Sequence, residues 1–96
     1  MNDRLKAETY DKLFKAILLL KDVNECYDFF EDICTVNEIK SLAQRFEVAK
    51  LLKDGETYAS IAKITGASTA TISRVNRAFN YGTGGYKSIL ERIKEN

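Results

Sequence analysis

Apolar residues along the chain recur mostly at helical spacing. Tyr10, Leu13, Phe14, Ile17 and Leu18 fall on one face of a helix expected from about Lys6 to Lys21. A shorter helix through Tyr27, Phe30 and Ile33 follows, with Asn24 as its candidate N-cap. Thr35 with Glu38 three residues on has the form of a capping box, so a third helix is expected to start there. It continues to about Lys53, and Gly55 stands where a left-handed C-terminal residue belongs. Ile39, Leu42, Phe46 and Ala49 make one stripe of this helix, and Val48, Leu51 and Leu52 widen it. A helix so broadly apolar wants neighbours on several sides, and a chain of 96 residues offers few. A second copy of the chain is the natural supplier. Residues 1–54 are therefore expected to be the dimerisation helices of a homodimer.

The second half changes texture. Thr57 can cap a short helix from Tyr58 to about Ile64, and Thr65-Gly66-Ala67 reads as a tight turn. Ser68 can cap a fifth helix reaching about Asn80. Gly82, Gly84 and Gly85 then interrupt the chain. A last amphipathic helix is expected over residues 86–95, with Tyr86, Ile89, Leu90 and Ile93 inward. The sequence has no proline, and only five glycines interrupt its helical tendency. The expected fold class is all-α, with six helices in a single domain over residues 1–96.

Two short helices joined by a glycine turn, over residues 57–80, match the helix-turn-helix arrangement. Ala62 is a small residue where the second helix would cross the first, and Gly66 tolerates the positive φ of the turn. Ile72 and Val75 are expected inside, facing Ile61. The outer side must enter a DNA groove, which favours short hydrogen-bonding side chains and arginine. Ser68, Thr69, Ala70, Ser73, Arg74 and Arg77 lie on or near that side.

Charge sharpens this reading. Net charge is only +1, yet no acid occurs from Thr57 to Leu90, where Lys63, Arg74, Arg77 and Lys87 lie. Phosphate contacts are expected from Lys63, Arg77 and Lys87. Backbone amides at the helix starts, near Thr57, Tyr58 and Ser68, are expected to add to them. Base readout is expected from Thr69, Ala70 and Ser73. The partner implied is double-stranded DNA. The near-neutral net charge leaves a second class open, a helical dimer that binds another protein and not DNA; only the first should weaken steeply with salt.

Other chemistry finds little support. Without histidine, and with Cys26 and Cys34 as the only cysteines, no metal-ligand spacing exists. Eight residues along one helix would hold the two thiols about 12 Å apart, beyond disulfide reach, so buried reduced thiols are expected. No acid–base or nucleophile arrangement is visible, so no catalytic residue and no cofactor is expected. Gly82-Thr83-Gly84-Gly85 lacks the lysine–hydroxyl ending of a phosphate loop, since Tyr86 follows. The longest apolar run, Ala16 to Leu20, is far short of the ~20 residues that span a bilayer. Asp3 and Glu8 stand where a signal peptide would carry its apolar core, so a cytoplasmic location is expected.

From Ile33 to about Lys94 the chain resembles the Trp-repressor-related family, the YerC/YecD type in particular. The stretch ICTVNEIKSLAQRFEVAKLLKDGETYASIAKITGASTATISR carries the resemblance. Trp repressors show a similar capped helix, a Leu-Leu-x-Gly-Glu helix end, and Gly-Ala-x-x-Ala-Thr-Ile-Thr-Arg, which here is Gly66 to Arg74 with Ser73 for the second threonine. The resemblance implies an intertwined homodimer with two reading heads on a two-fold symmetric operator, and a transcriptional repressor. The helix over Thr57–Thr65 is slightly shorter than in Trp repressors, so that helix's base contacts are not carried over. The resemblance also implies a ligand pocket, because Thr35, Arg45 and Arg74 match residues around the indole of bound tryptophan. Trp repressors have glycine after the second arginine, however, and this chain has Val75; a later serine is Ala78 here. A valine would fill the indole's space, so L-tryptophan is not expected to bind usefully. Arg45 and Arg74 are then expected to be surface or DNA-facing charges. The residues name no other small-molecule effector.

Overall fold

A computed structural model describes residues 7–94. The elements are α1 (Glu8–Ile17), α2 (Val23–Ile33), α3 (Val36–Lys53), α4 (Tyr58–Thr65), α5 (Thr69–Tyr81) and α6 (Gly85–Lys94). The fold is all-α with six helices. Lys6 and Glu95, the expected outer ends of the first and last helices, lie outside the described residues. The chain divides into two compact units that part between Ile39 and Lys40, inside α3.

The first unit holds α1, α2 and the first turn of α3. Its helix boundaries differ from expectation in two places. α1 stops at Ile17, with the chain turning through Leu18 and Leu19, whose amides reach back to the Phe14 and Ala16 carbonyls. The cap of α2 is Asp22, not Asn24. The Asp22 carboxylate accepts from the Glu25 amide at 2.9 Å, and Glu25 Oε1 accepts from the Lys21 amide at 2.9 Å. That pair satisfies two amides at once, which a cap at Asn24 would leave open. Neither α1 nor α2 buries a residue. Leu18 is 83% exposed, and Tyr10, Phe14, Val23, Tyr27 and Val36 are also open to solvent in the single chain. For the same reason the thiols are not buried as expected: Cys26 is exposed and Cys34 half-buried, both free.

The second unit has a true core. Val48 and Ala49 of α3, Ile61 of α4, Ala67 of the turn, Ile72 and Val75 of α5 and Leu90 of α6 are each at most 5% exposed. Phe46, Leu51, Leu52, Ala62, Phe79 and Tyr86 pack around them. Among the described side chains of α6 only Leu90 is fully inside; Ile89 and Ile93, also expected inward, are 43% and 44% exposed.

Local rules place the helix ends. Thr35 and Glu38 form the reciprocal capping box, with the Glu38 amide donating to Thr35 Oγ1 at 3.1 Å and the Thr35 amide to Glu38 Oε1 at 2.7 Å. Thr57 and Ser68 cap α4 and α5 by accepting from the amides of Ser60 and Thr71. Between them Gly66 has φ +74°, and its amide donates to the Ala62 carbonyl at 2.8 Å. At the end of α5, Gly82 serves a different need. A Cβ there would sit 2.4 Å from the Ala78 carbonyl oxygen, so the chain can turn at this point only without a side chain.

Two glycine settings make a paired prediction. Gly85 is the first residue of α6, without positive φ and with open space where a Cβ would stand. Gly85→Ala is expected to stabilise the fold by roughly 0.4–1 kcal/mol through the unfolded chain, while Gly82→Ala destabilises it by more than that. Thermal unfolding at matched protein concentration checks both signs.

Candidate nucleic-acid interface

The interface is built on α5, and its orientation follows from what that helix buries. Ile72 and Val75 are in the core, and Phe79 packs against it. At 3.6 residues per turn, Ala70, Arg74, Arg77 and Tyr81 lie on the opposite side, with Thr69 and Ser73 on one flank. All six are exposed. The face therefore offers a methyl group, two hydroxyls, two guanidinium groups and a phenol, and no carboxylate.

α4 and the turn hold α5 in place. Ile61 is fully buried in the same core as Ile72 and Val75, as expected. Ala62 lies at the rim of that core, and Ala67 of the turn is enclosed within it. Thr65 Oγ1 donates to the Ile61 carbonyl at 2.7 Å and accepts from the Ala67 amide at 3.1 Å. Gln44 Nε2 donates to the Thr65 carbonyl at 3.3 Å, which ties the turn to α3. Sequence reasoning did not single out Gln44. Its partner is a backbone carbonyl 21 residues away, which no spacing rule marks.

The remaining expected contact residues divide by what occupies them. The Thr57 hydroxyl is engaged by the Ser60 amide. Ser68 Oγ accepts from the Thr71 amide and donates to Thr71 Oγ1, both at 3.1 Å. What these two positions still offer an anion is the unpaired amides of the first turns of α4 and α5, where the helix dipole adds positive potential. Tyr58 is exposed at the start of α4 and Lys63 in its last turn. Lys87, on α6, holds its ammonium 5.6 Å from the centre of the Phe79 ring, a cation–π distance. The acids nearest in sequence are otherwise engaged: Glu56 accepts from Ser60 Oγ at 3.4 Å, and Glu91 pairs with Lys53 at 3.7 Å.

Of the residues matched to a ligand pocket, Val75 is 2% exposed and part of the core. Arg45 is half-buried on α3 and Arg74 exposed on α5. Thr35 belongs to the first unit, and its hydroxyl is engaged in the capping box of α3. Among the described residues no group of histidine, cysteine, aspartate or glutamate side chains could hold a metal ion. No helix among them is long and apolar enough to cross a membrane.

The capping box has a measurable signature. Glu38 lies below the ordinary glutamate range, first because the Thr35 backbone amide donates to its carboxylate, then because of the Thr35 side chain. A carboxyl with its folded value depressed adds stability above its unfolded value, and that stability is lost as pH falls through the folded value. Titration of the Glu38 carboxyl by NMR is expected to show the lowered value, and Thr35→Ala, which removes the side chain but keeps the backbone donor, to raise it only part of the way back.

Residues 8–94 match the family model described as Trp repressor protein. The chain is 58% identical over 93 residues to the uncharacterised protein YerC of Bacillus subtilis (strain 168), covering 97% of this chain and 89% of that one. Its structure superposes with a TM-score of 0.94 on that of a TrpR-like protein from Eubacterium eligens ATCC 27750. That protein is 61% identical, with 97% and 96% of the two chains covered. A proposed Trp repressor from Staphylococcus aureus gives a TM-score of 0.93 at 53% identity, over 96% and 92% of the chains.

Proposed function

The chain belongs to the Trp repressor family, a family of regulators and not of enzymes, and from that premise we propose that it is a sequence-specific DNA-binding transcriptional repressor acting as a homodimer. The observation that carries the reading is the outward face of α5, where exposed hydroxyls and arginines stand with no acid among them. Thr69, Ala70 and Ser73 read bases. Lys63, Arg77 and Lys87, with the amides at the starts of α4 and α5, hold phosphates. Residues 1–54 supply the dimer and residues 57–80 the reading head. Support for the dimer comes from the first unit, whose two complete helices bury nothing in a single chain and leave large apolar side chains open. An obligate partner is the ordinary remedy for such a surface.

A two-fold dimer reads a two-fold site. Selection from random duplex DNA with the purified protein is therefore expected to return a palindromic consensus, and recovery of no consensus would remove the reading. Changes at Ser73 or Thr69 are expected to alter base preference, by ~1–3 kcal/mol at a position for a good contact. Lys63→Ala and Arg77→Ala are expected to weaken binding to every sequence and to lower the salt slope by about one unit per lost phosphate contact, so by about two per dimer for each variant. A preserved slope with shifted preference in Arg77→Ala would reverse the two roles.

The same packing argues that the head works without L-tryptophan. Val75 fills core space on α5 permanently, and a ring forced in beside it would overpack the site at a cost of ~1–3 kcal/mol. A ligand at about 100 times its dissociation constant raises stability by ~2.7 kcal/mol. Millimolar tryptophan is expected to leave the unfolding temperature of this protein unchanged; a clear rise, lost in Arg74→Ala, would overturn this. Val75→Gly is the variant that reopens the space, and it is expected to gain a tryptophan-dependent rise.

A further inference from the structure

Tyr81 is absent from the contacts assigned above. It is the last residue of α5 and is 86% exposed, the most open of the large apolar side chains among the described residues. Its phase is what marks it. On α5 it lies four residues after Arg77 and eleven after Ala70, both on the outward side, so three turns of one face end on a phenol. A tyrosine at that phase finds no core in its own unit, since Ile72, Val75 and Phe79 occupy the other side.

Distance along the helix separates its role from that of the base readers. Eleven residues at ~1.5 Å carry Tyr81 about 16 Å beyond Ala70. The major groove is about 12 Å wide. A recognition helix that reads with its N-terminal residues therefore has Tyr81 beyond the base edges, at the sugar-phosphate wall. The chain there is cleared of bulk. Gly82 follows directly and tolerates no side chain, and Gly84 and Gly85 come after Thr83, so a polynucleotide backbone meets little besides the ring. The phenol brings a hydroxyl donor and a flat apolar ring, which suit a phosphate oxygen and the adjoining sugar.

We infer that Tyr81 is a further DNA contact, donating its hydroxyl to a backbone phosphate at the C-terminal end of the recognition helix and fixing how deeply that helix sits in the groove. This rests on the DNA-binding reading of α5. A neutral donor releases no counterion when it binds a phosphate, so its loss leaves the salt slope unchanged, unlike the loss of Arg77. The contact is also independent of sequence.

The test compares the full-length wild type, Tyr81→Phe and Arg77→Ala on two duplexes of equal length, one carrying the consensus selected by the wild type and one unrelated. Affinities are read by fluorescence anisotropy between roughly 50 and 200 mM salt. Tyr81→Phe is expected to weaken binding to both duplexes by about a hundredfold, about tenfold for each of the dimer's two hydrogen bonds to a charged acceptor, with the salt slope unchanged. Arg77→Ala, which removes one phosphate contact from each half of the dimer, is expected to lower the slope by about 1.8. The Phe variant keeps the ring and alters an exposed atom only, and its circular dichroism melt verifies that the fold is intact. Wild-type affinity in Tyr81→Phe overturns the inference and leaves the DNA reading standing, as does a loss confined to the selected duplex or a reduced slope. A wild type that binds neither duplex removes both.

Discussion

The packing of Val75 and Ile72 against Ile61, over Val48 and Ala49, is what the second unit depends on. Each large aliphatic side chain buried there contributes ~1.5–3 kcal/mol, and four helices share the handful that exist. The head has no alternative core to fall back on. That packing also fixes the rotation of α5 about its axis, which decides what faces outward. Stability and recognition are thus set by one contact: the side of α5 that holds the unit together determines the side left for a partner.

Polar detail does the rest of the positioning. Thr57, Ser68 and Thr35 close the starts of α4, α5 and α3, and Gly66 ends α4 in the one backbone region where a side chain is unwelcome. Gln44 then holds the Thr65 carbonyl from α3, so the turn is tied from outside the two helices it joins. A short turn fastened in this way leaves the angle between α4 and α5 little freedom. For the proposed reading head this matters, because a helix that tilts would lose its hydrogen bonds at the base edges together.

Within the Trp repressor family, Val75 bears on how such a head can be controlled. Val75 fills core space from within the chain, which on the proposed reading leaves no ligand needed to complete that core. Regulation, on the same proposal, comes through something other than completing that core. The first unit contrasts with this self-sufficiency, because α1 and α2 display their apolar faces with nothing of their own to cover them.

Periodicity, capping pairs and glycines determined most of the fold by themselves. The capping box at Thr35 and Glu38, the caps at Thr57 and Ser68, the turn at Gly66 and the inward Ile61, Ile72 and Val75 are local signals, readable within a few residues. The sequence also named the outward residues Thr69, Ala70, Ser73, Arg74 and Arg77, because the phase of α5 follows once its buried stripe is known. What tertiary structure decided were features local pattern does not encode. Asp22 outcompetes Asn24 as a cap because Glu25 can reach back to the Lys21 amide. Cys26 is open because α2 has nothing in its own chain to pack on. Gln44 pairs with a carbonyl distant in sequence. Tyr81 joins the outward face of α5 only because α5 runs one residue past Asn80, and a helix end is set by where the chain can turn, here at a glycine whose place against the Ala78 carbonyl admits no side chain.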